Sequence, residues 1–97
     1  MSYEIKMRDK PVKYLKKLAK SAPKEFIKID KFIYGTLSVD KNPCILPSAK
    51  YLQGYNDNRY RWRLGNYRII GIVNNGEFKI IEIIKIDRRS ERTYKGL

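Results

Sequence analysis

A strand–turn–strand pattern in the second half of the chain limits its possible folds more strongly than any other feature. Residues 59–64 alternate between arginines on one face and apolar side chains, Tyr60 and Trp62 among them, on the other. This is the pattern of a half-buried β-strand. A Gly-Asn pair that suits a tight turn follows, and residues 67–73 are apolar and β-branched, as in a buried strand. The chain is therefore expected to contain an antiparallel sheet with arginines on one face.

Further strands extend this predicted sheet on both sides. Residues 49–53 form a short extended segment before the turn-rich residues 54–58. Residues 74–76, Asn-Asn-Gly, are a strong hairpin signal, and the isoleucine-rich residues 77–86 form the next strand. A polar tail, residues 87–97, completes the chain.

The first half of the chain predicts one strand and two helices. Alternation in residues 1–7 indicates a half-buried strand. Residues 10–20 carry apolar side chains at helical spacing, with lysines on the opposite face. Pro23 fits the first turn of a second helix, which is expected to end near residues 35–38, before a loop over residues 38–48. Because the link between the helices is short, they should form an antiparallel helix hairpin.

The order of these elements predicts an α+β fold. An N-terminal strand and a helix hairpin precede an antiparallel sheet of three to four strands, and the helices are expected to pack on one face of that sheet. Residues 1–97 are expected to form a single domain, since a chain of this length supports one modest core. The other face of the sheet must then be covered or functional.

The charge of the chain favours an anionic partner. Its 22 Lys and Arg residues against 10 Asp and Glu residues give a net charge of +12 at pH 7. A charge of that size on a small domain attracts polyanions. A nucleic acid, an anionic membrane surface and an acidic protein all fit this charge. We favour a nucleic acid, with which an acidic protein partner is compatible.

Histidine is absent and Cys44 is the single cysteine. The absence of His excludes His-based catalytic triads and most zinc sites, and a lone Cys cannot form an internal disulfide. No apolar run approaches the ~18–20 residues of a membrane span, and the first residues lack the apolar segment of a signal peptide. We therefore expect a cytoplasmic protein with no membrane contact, no metal and no cofactor, and we assign Cys44 no role.

Lysine and arginine are distributed differently along the chain. Eleven of the fourteen lysines lie in residues 1–50, whereas seven of the eight arginines lie in residues 59–92. Lysines on a helix face are usually a solvated surface. Arginine binds phosphate oxygens in bidentate fashion and stays charged at any relevant pH. Arginines on sheet strands therefore indicate an anion-binding surface.

The predicted topology brings several of these cations together. Arg61 and Arg63 share one face of their strand, and the following hairpin returns Arg68 beside them. The last strand should end near the start of the strand that carries Arg68, so we expect Arg88 to approach it. Tyr94 follows six residues later, and nearby cations favour its phenolate form, which would make it a proton acceptor in a chain without His.

A purely structural interpretation of the same residues is also open. Tyrosines near a chain end more often pack than catalyse. The arginines would then point into solvent or pair with carboxylates. The available carboxylates are Asp57, Glu82, Asp87 and Glu91.

Three sequence segments together resemble a known family. They are Lys-Tyr-Leu-Gln-Gly at residues 50–54, Tyr-Arg-Trp-Arg-Leu-Gly-Asn-Tyr-Arg-Ile-Ile at 60–70 and Ile-Ile-Lys-Ile-Asp-Arg-Arg-Ser-Glu-Arg-Thr-Tyr at 83–94. In this order and spacing they resemble the RelE/ParE toxin superfamily of type II toxin–antitoxin systems. The resemblance covers nearly the whole chain and implies the RelE-like microbial RNase fold.

The resemblance implies one of two activities. RelE-like members are mRNA interferases, endoribonucleases that cut mRNA in the ribosomal A site and so inhibit translation, whereas ParE-like members poison DNA gyrase and lack nuclease residues. The nuclease positions are all filled here, which favours the RelE-like branch. The catalytic candidates are Arg61, Arg68, Arg88 and Tyr94. The RNA-binding candidates are Arg63, Lys13, Lys16, Lys17, Lys20, Arg89 and Arg92.

One departure from RelE affects the expected mechanism. RelE carries lysines where this chain has Arg61 and Arg63, and an arginine cannot serve as a base because its pKa lies above ~12. The base role therefore passes to Tyr94. The RNA 2′-hydroxyl would attack the adjacent phosphodiester, so no metal is required.

The partners implied by the resemblance are mRNA in the ribosomal A site, ribosomal RNA and an acidic cognate antitoxin protein. Two simpler interpretations remain. One is a basic nucleic-acid-binding domain in which Tyr60 and Trp62 stack on bases, although their position opposite the arginines favours a core role. The other is a soluble α+β domain with an incidental excess of positive charge.

Overall fold

A computed structural model describes residues 3–88 of the chain. Its elements in chain order are β1 (Glu4–Met7), α1 (Asp9–Ser21), α2 (Pro23–Phe32), a π-helical turn (Ile33–Leu37), a 3-10 turn (Pro43–Ile45), β2 (Ala49–Tyr51), β3 (Arg59–Leu64), β4 (Tyr67–Asn75) and β5 (Lys79–Arg88).

The strands form one five-stranded mixed sheet in the order β1-β5-β4-β3-β2. Strands β2 to β5 are antiparallel neighbours, and β1 pairs in parallel with β5 at the sheet edge. The predicted α+β class, with a helix hairpin on one sheet face, is confirmed. The sheet has five strands and is mixed, because β1 joins the four antiparallel strands. The parallel pairing of β1 is a long-range contact that local sequence patterns do not predict.

Ala22 alone separates the two helices. Its N–H donates to the carbonyl of Leu18 at 2.7 Å, and its own carbonyl accepts from the N–H groups of Glu25 and Phe26 at 3.0 Å each. Pro23 is the first residue of α2, as predicted, where its missing N–H leaves no hydrogen bond unmade. This link turns the chain sharply, so the apolar sides of both helices face the sheet.

Trp62 lies at the centre of the core. It is completely buried, together with isoleucines from α2, the π-helical turn and the sheet. Its indole Nε1 donates a hydrogen bond to the carbonyl of Pro43 at 2.9 Å. Part of the predicted loop over residues 38–48 is thus a 3-10 turn that closes the core. The suggestion that Trp62 stacks on bases is wrong, because its ring is inaccessible.

A β-bulge interrupts the pairing of β4 with β5. Gly71 pairs with Ile83, but the preceding Ile70 pairs with Lys85, so Ile84 is an extra residue in β5. Side chains in β5 therefore change faces across the bulge. The core-facing residues of β5 are Ile81, Ile83 and Ile86, so the buried positions change from odd to even numbers across the bulge.

Candidate functional site

The sheet face opposite the helices carries three of the predicted arginines. Arg61 lies opposite Ile70 of β4, and Arg63 lies opposite Arg68. Residues directly opposite in an antiparallel pair share a face, so these three arginines lie on one surface, as the alternation predicts. We call it the arginine face.

Two of these arginines are direct cross-strand neighbours. Like charges directly opposite each other are destabilising, and here Arg63 faces Arg68. Asp87 reduces this repulsion, since it accepts two hydrogen bonds from Arg68, at 3.2 Å from Nε to Oδ1 and 3.1 Å from Nη2 to Oδ2. Lys85 Nζ lies 3.6 Å from the same carboxylate. The structural interpretation, pairing with Asp87, thus holds for Arg68.

Arg59 of β3 is also paired with a carboxylate. Arg59 donates to Asp57 at 3.2 Å from Nε and 2.6 Å from Nη2. Its guanidinium carbon lies 4.0 Å from the centre of the Tyr55 ring. The hydrogen bond from Arg59 holds the pKa of the Asp57 carboxyl below its usual value. Arg59 is therefore held between an acid and an aromatic ring.

Arg88 lies on the other side of the sheet. It is opposite Tyr67, whereas Arg68 is opposite Asp87, and it lines a groove of about 610 Å³ beside Tyr14 and Lys17 of α1. Arg88 therefore lies next to Arg68 in the strand pairing, as expected, but its side chain lies on the opposite face of the sheet. The physical reason is the bulge at Ile84, because regular alternation from residue 83 would have placed residue 88 on the arginine face.

The remaining predicted residues fall into two groups. The α1 lysines are all exposed, as predicted; they are Lys13, Lys16, Lys17 and Lys20. Of these, Lys17 shares the groove with Arg88. The predictions for Tyr94, Arg89 and Arg92 lie outside the described residues and stay predictions.

Two lysines of the arginine face were not among the predicted site residues. Lys50 lies opposite Arg61, and Lys85 lies opposite Ile70. Both side chains are exposed. The sequence does contain a signal for Lys85. The charged residue Glu82 lies at an even position of β5, whereas Lys85 and Asp87 lie at odd positions between isoleucines, and this shift marks a change of face.

Two other properties of residues 3–88 bear on the site. No group of three or more Cys, Asp or Glu side chains in this part of the chain is placed to hold a metal ion. None of its helices has the length and apolar character needed to cross a membrane.

Comparison with known proteins identifies the fold. No protein family model matches the chain, and no curated protein sequence matches it significantly. Among solved structures, a chain of the RelBE2 toxin–antitoxin complex from Mycobacterium tuberculosis matches with a TM-score of 0.72 at 22% sequence identity, covering 92% of this chain and 100% of that one. The two helices, the five-stranded sheet and this match establish that the chain has the RelE-like α+β fold.

Proposed function

We propose that the chain is the toxin of a type II toxin–antitoxin system and acts in the cytoplasm as a metal-independent endoribonuclease. Its substrate is mRNA in the ribosomal A site, so cleavage inhibits translation. The fold shared with a toxin–antitoxin complex supports the first part. The second part depends on one observation, the grouping of Arg61, Arg63 and Arg68 on a single sheet face.

The arginine face has the chemistry needed to bind a phosphodiester. Arg63 and Arg68 are paired across β3 and β4, and Arg61 is two residues along the same strand face. Guanidinium groups bind phosphate oxygens in bidentate fashion. Fixed positive charge at the phosphate stabilises the additional negative charge that develops during cleavage.

The proposed reaction uses a nucleophile supplied by the RNA. The 2′-oxygen forms a bond to its adjacent phosphorus as the bond from phosphorus to the 5′-oxygen breaks. The products are a 2′,3′-cyclic phosphate and a 5′-hydroxyl. Tyr94, as the phenolate, accepts the proton of the 2′-hydroxyl. Water donates a proton to the leaving 5′-oxygen, and Arg88 stabilises the negative charge on that oxygen.

The positions of Arg68 and Arg88 in the sheet indicate where the phosphodiester would lie. Both residues are at the same end of the sheet, on adjacent positions of the β4–β5 pairing, but they face opposite sides. A phosphodiester at this end of the sheet is accessible to Arg68 from the arginine face and to Arg88 from the helix side. Tyr94, six residues after Arg88, completes the proposed site.

The proposed partners follow from charge. The net charge of +12 suits docking onto ribosomal RNA, and the exposed lysines of α1 contribute to that attraction. Arg63, Arg89 and Arg92 contact the RNA backbone. An acidic cognate antitoxin neutralises the toxin, in keeping with the toxin–antitoxin complex that shares the fold.

A ParE-like gyrase inhibitor without nuclease activity is the second candidate. Two observations favour it: Arg68 is bound to Asp87, and Arg88 points to the opposite side of the sheet. A nuclease site distributed in this way requires the RNA to reach both sides of the sheet end. A gyrase inhibitor makes no such demand.

Mapping of cellular mRNA by primer extension tests the proposal. Induction of the wild-type chain in bacterial cells should produce new 5′ ends within translated mRNAs, and Arg68→Ala and Arg88→Ala should each abolish most of them. Lys31→Ala, which removes one exposed charge from α2, serves as the control and should cut like wild type. Intact mRNA together with induction of the DNA-damage response would instead establish gyrase inhibition.

A further inference from the structure

A row of cations crosses the arginine face at right angles to the strands. Lys50 of β2 is opposite Arg61 of β3, Arg61 is opposite Ile70 of β4, and Ile70 is opposite Lys85 of β5. Neighbouring strands are about 4.8 Å apart, so the row spans roughly 14 Å. Three of its four positions carry positive charge, and the Arg63–Arg68 pair lies immediately beside it.

The two lysines at the ends of this row are available to a ligand. Lys50 is exposed on the edge strand. The Lys85 side chain is 59% exposed, and its ammonium lies 3.6 Å from Asp87. An exposed pair of this kind contributes little free energy, so a phosphate can replace the carboxylate at little cost.

Lys85 also lines a groove that contains further cations. This groove has a volume of about 870 Å³ and is lined by Arg8, Lys10 and Arg59 as well as Lys85. Its lining also includes Asp9, and two of its arginines are paired with carboxylates, Arg8 with Glu82 and Arg59 with Asp57. Lys85 thus belongs both to the row and to this groove.

We infer that Lys50 and Lys85 bind RNA phosphates on either side of the one held by the arginines, so that the RNA backbone crosses the strands. This inference rests on the proposed function for the identity of the ligand, single-stranded RNA. The bulge at Ile84 is essential to the arrangement, because it turns Lys85 onto the arginine face.

The salt dependence of RNA binding tests this inference. We would titrate a fluorescently labelled, 2′-O-methylated single-stranded RNA, which lacks the nucleophile for cleavage, against purified protein at several salt concentrations. Each phosphate contact contributes about 0.7 to the slope of log affinity against log salt for a single strand. Lys50→Ala and Lys85→Ala should therefore each lower the slope by about 0.7, and the double variant by about 1.4.

Matched controls separate a defined row from diffuse charge. Lys28→Ala and Lys31→Ala each remove one exposed lysine from α2, on the helix side, and should leave the slope unchanged. An unchanged slope in the double variant would overturn the inference, even if mRNA mapping supports the nuclease. An equal loss in the α2 variants would also overturn it. If the wild type cuts no mRNA but the double variant shows the predicted decrease in slope, the proposed function is wrong and the RNA-binding role of Lys50 and Lys85 is supported.

Discussion

Arg68 and Asp87 lie directly opposite each other on β4 and β5, and the Asp87 carboxylate accepts hydrogen bonds from both Nε and Nη2 of the Arg68 guanidinium. A carboxylate thus sits within a surface whose other nearby charges are positive. It fixes the orientation of Arg68 and offsets the repulsion from Arg63. It also competes with any phosphate for the same donors.

Asp87→Asn should therefore tighten RNA binding. A unit charge at about 4 Å in water is worth roughly 1 kcal/mol, or about fivefold in affinity. The fold should lose less than about 1 kcal/mol of unfolding free energy, because the paired side chains are 42% and 28% exposed. Salt titration of RNA binding and urea unfolding measure the two effects.

Asp30→Asn on α2 is the matched control for this variant, because it removes the same charge from the helix side of the sheet. It should leave RNA affinity nearly unchanged. Equal gains in affinity for both variants would show that only net charge matters, and weaker binding by Asp87→Asn would show that orientation of Arg68 outweighs competition.

The sequence predicts the β3–β4 hairpin well because its signals are local. Alternation over Arg59–Leu64, the turn at Gly65 and the apolar Tyr67 strand each specify their own conformation, and the register follows from the short turn. The face shared by Arg61, Arg63 and Arg68 could therefore be deduced without coordinates.

Two features of the sheet that the sequence analysis missed have different physical causes. The parallel pairing of β1 with β5 joins residues more than seventy positions apart, and no local pattern encodes it. The bulge at Ile84 has a local trace, the adjacent Ile83-Ile84 pair followed by Lys85. The run of isoleucines conceals it, since apolar side chains suit both faces there. This extra residue places the side chains of Arg88 and Arg68 on opposite faces of the sheet.

Gly71→Ala should destabilise the fold. A Cβ at this position would lie 3.1 Å from Cγ2 of Ile81, 3.1 Å from Cζ3 of Trp62 and 3.3 Å from the carbonyl of Glu82. Overpacking of this kind costs about 1–3 kcal/mol. Chemical denaturation measures the change. Gly35→Ala, where a Cβ meets nothing within 4 Å, is the control and should be neutral or slightly stabilising; an equal loss in both variants would contradict the packing argument.

Trp62→Phe should lower the unfolding free energy more than a similar substitution at an exposed aromatic residue. The substitution leaves a cavity in the core and deprives the carbonyl of Pro43 of its indole donor. The combined cost is about 2–4 kcal/mol of unfolding free energy. Tyr51→Phe, at a 45% exposed position on the edge strand, should change stability by less than about 0.5 kcal/mol. A similar small effect for Trp62→Phe would show that the 3-10 turn does not depend on this hydrogen bond.

The Cys44 thiol should react slowly with alkylating reagents at neutral pH. Burial raises its pKa above the usual 9.0, and the nearby Tyr60 hydroxyl opposes this only in part. Since the thiolate is the reactive form, the rate of iodoacetamide modification should rise with a midpoint above pH 9.0 in the folded protein.

The same shift predicts how stability depends on pH. In the unfolded chain the thiol ionises near pH 9.0, whereas in the folded chain it keeps its proton to higher pH. Between these two values the folded state binds more protons, so stability falls as pH rises through this window and is fully present below it. Denaturation of wild type and Cys44→Ala at pH 8 and pH 10 should show a smaller loss in the variant, and alkylation in urea should give the unshifted midpoint. Equal losses, or a folded-state midpoint at or below that of the unfolded chain, would mean that Cys44 is not shielded by its contacts with the core.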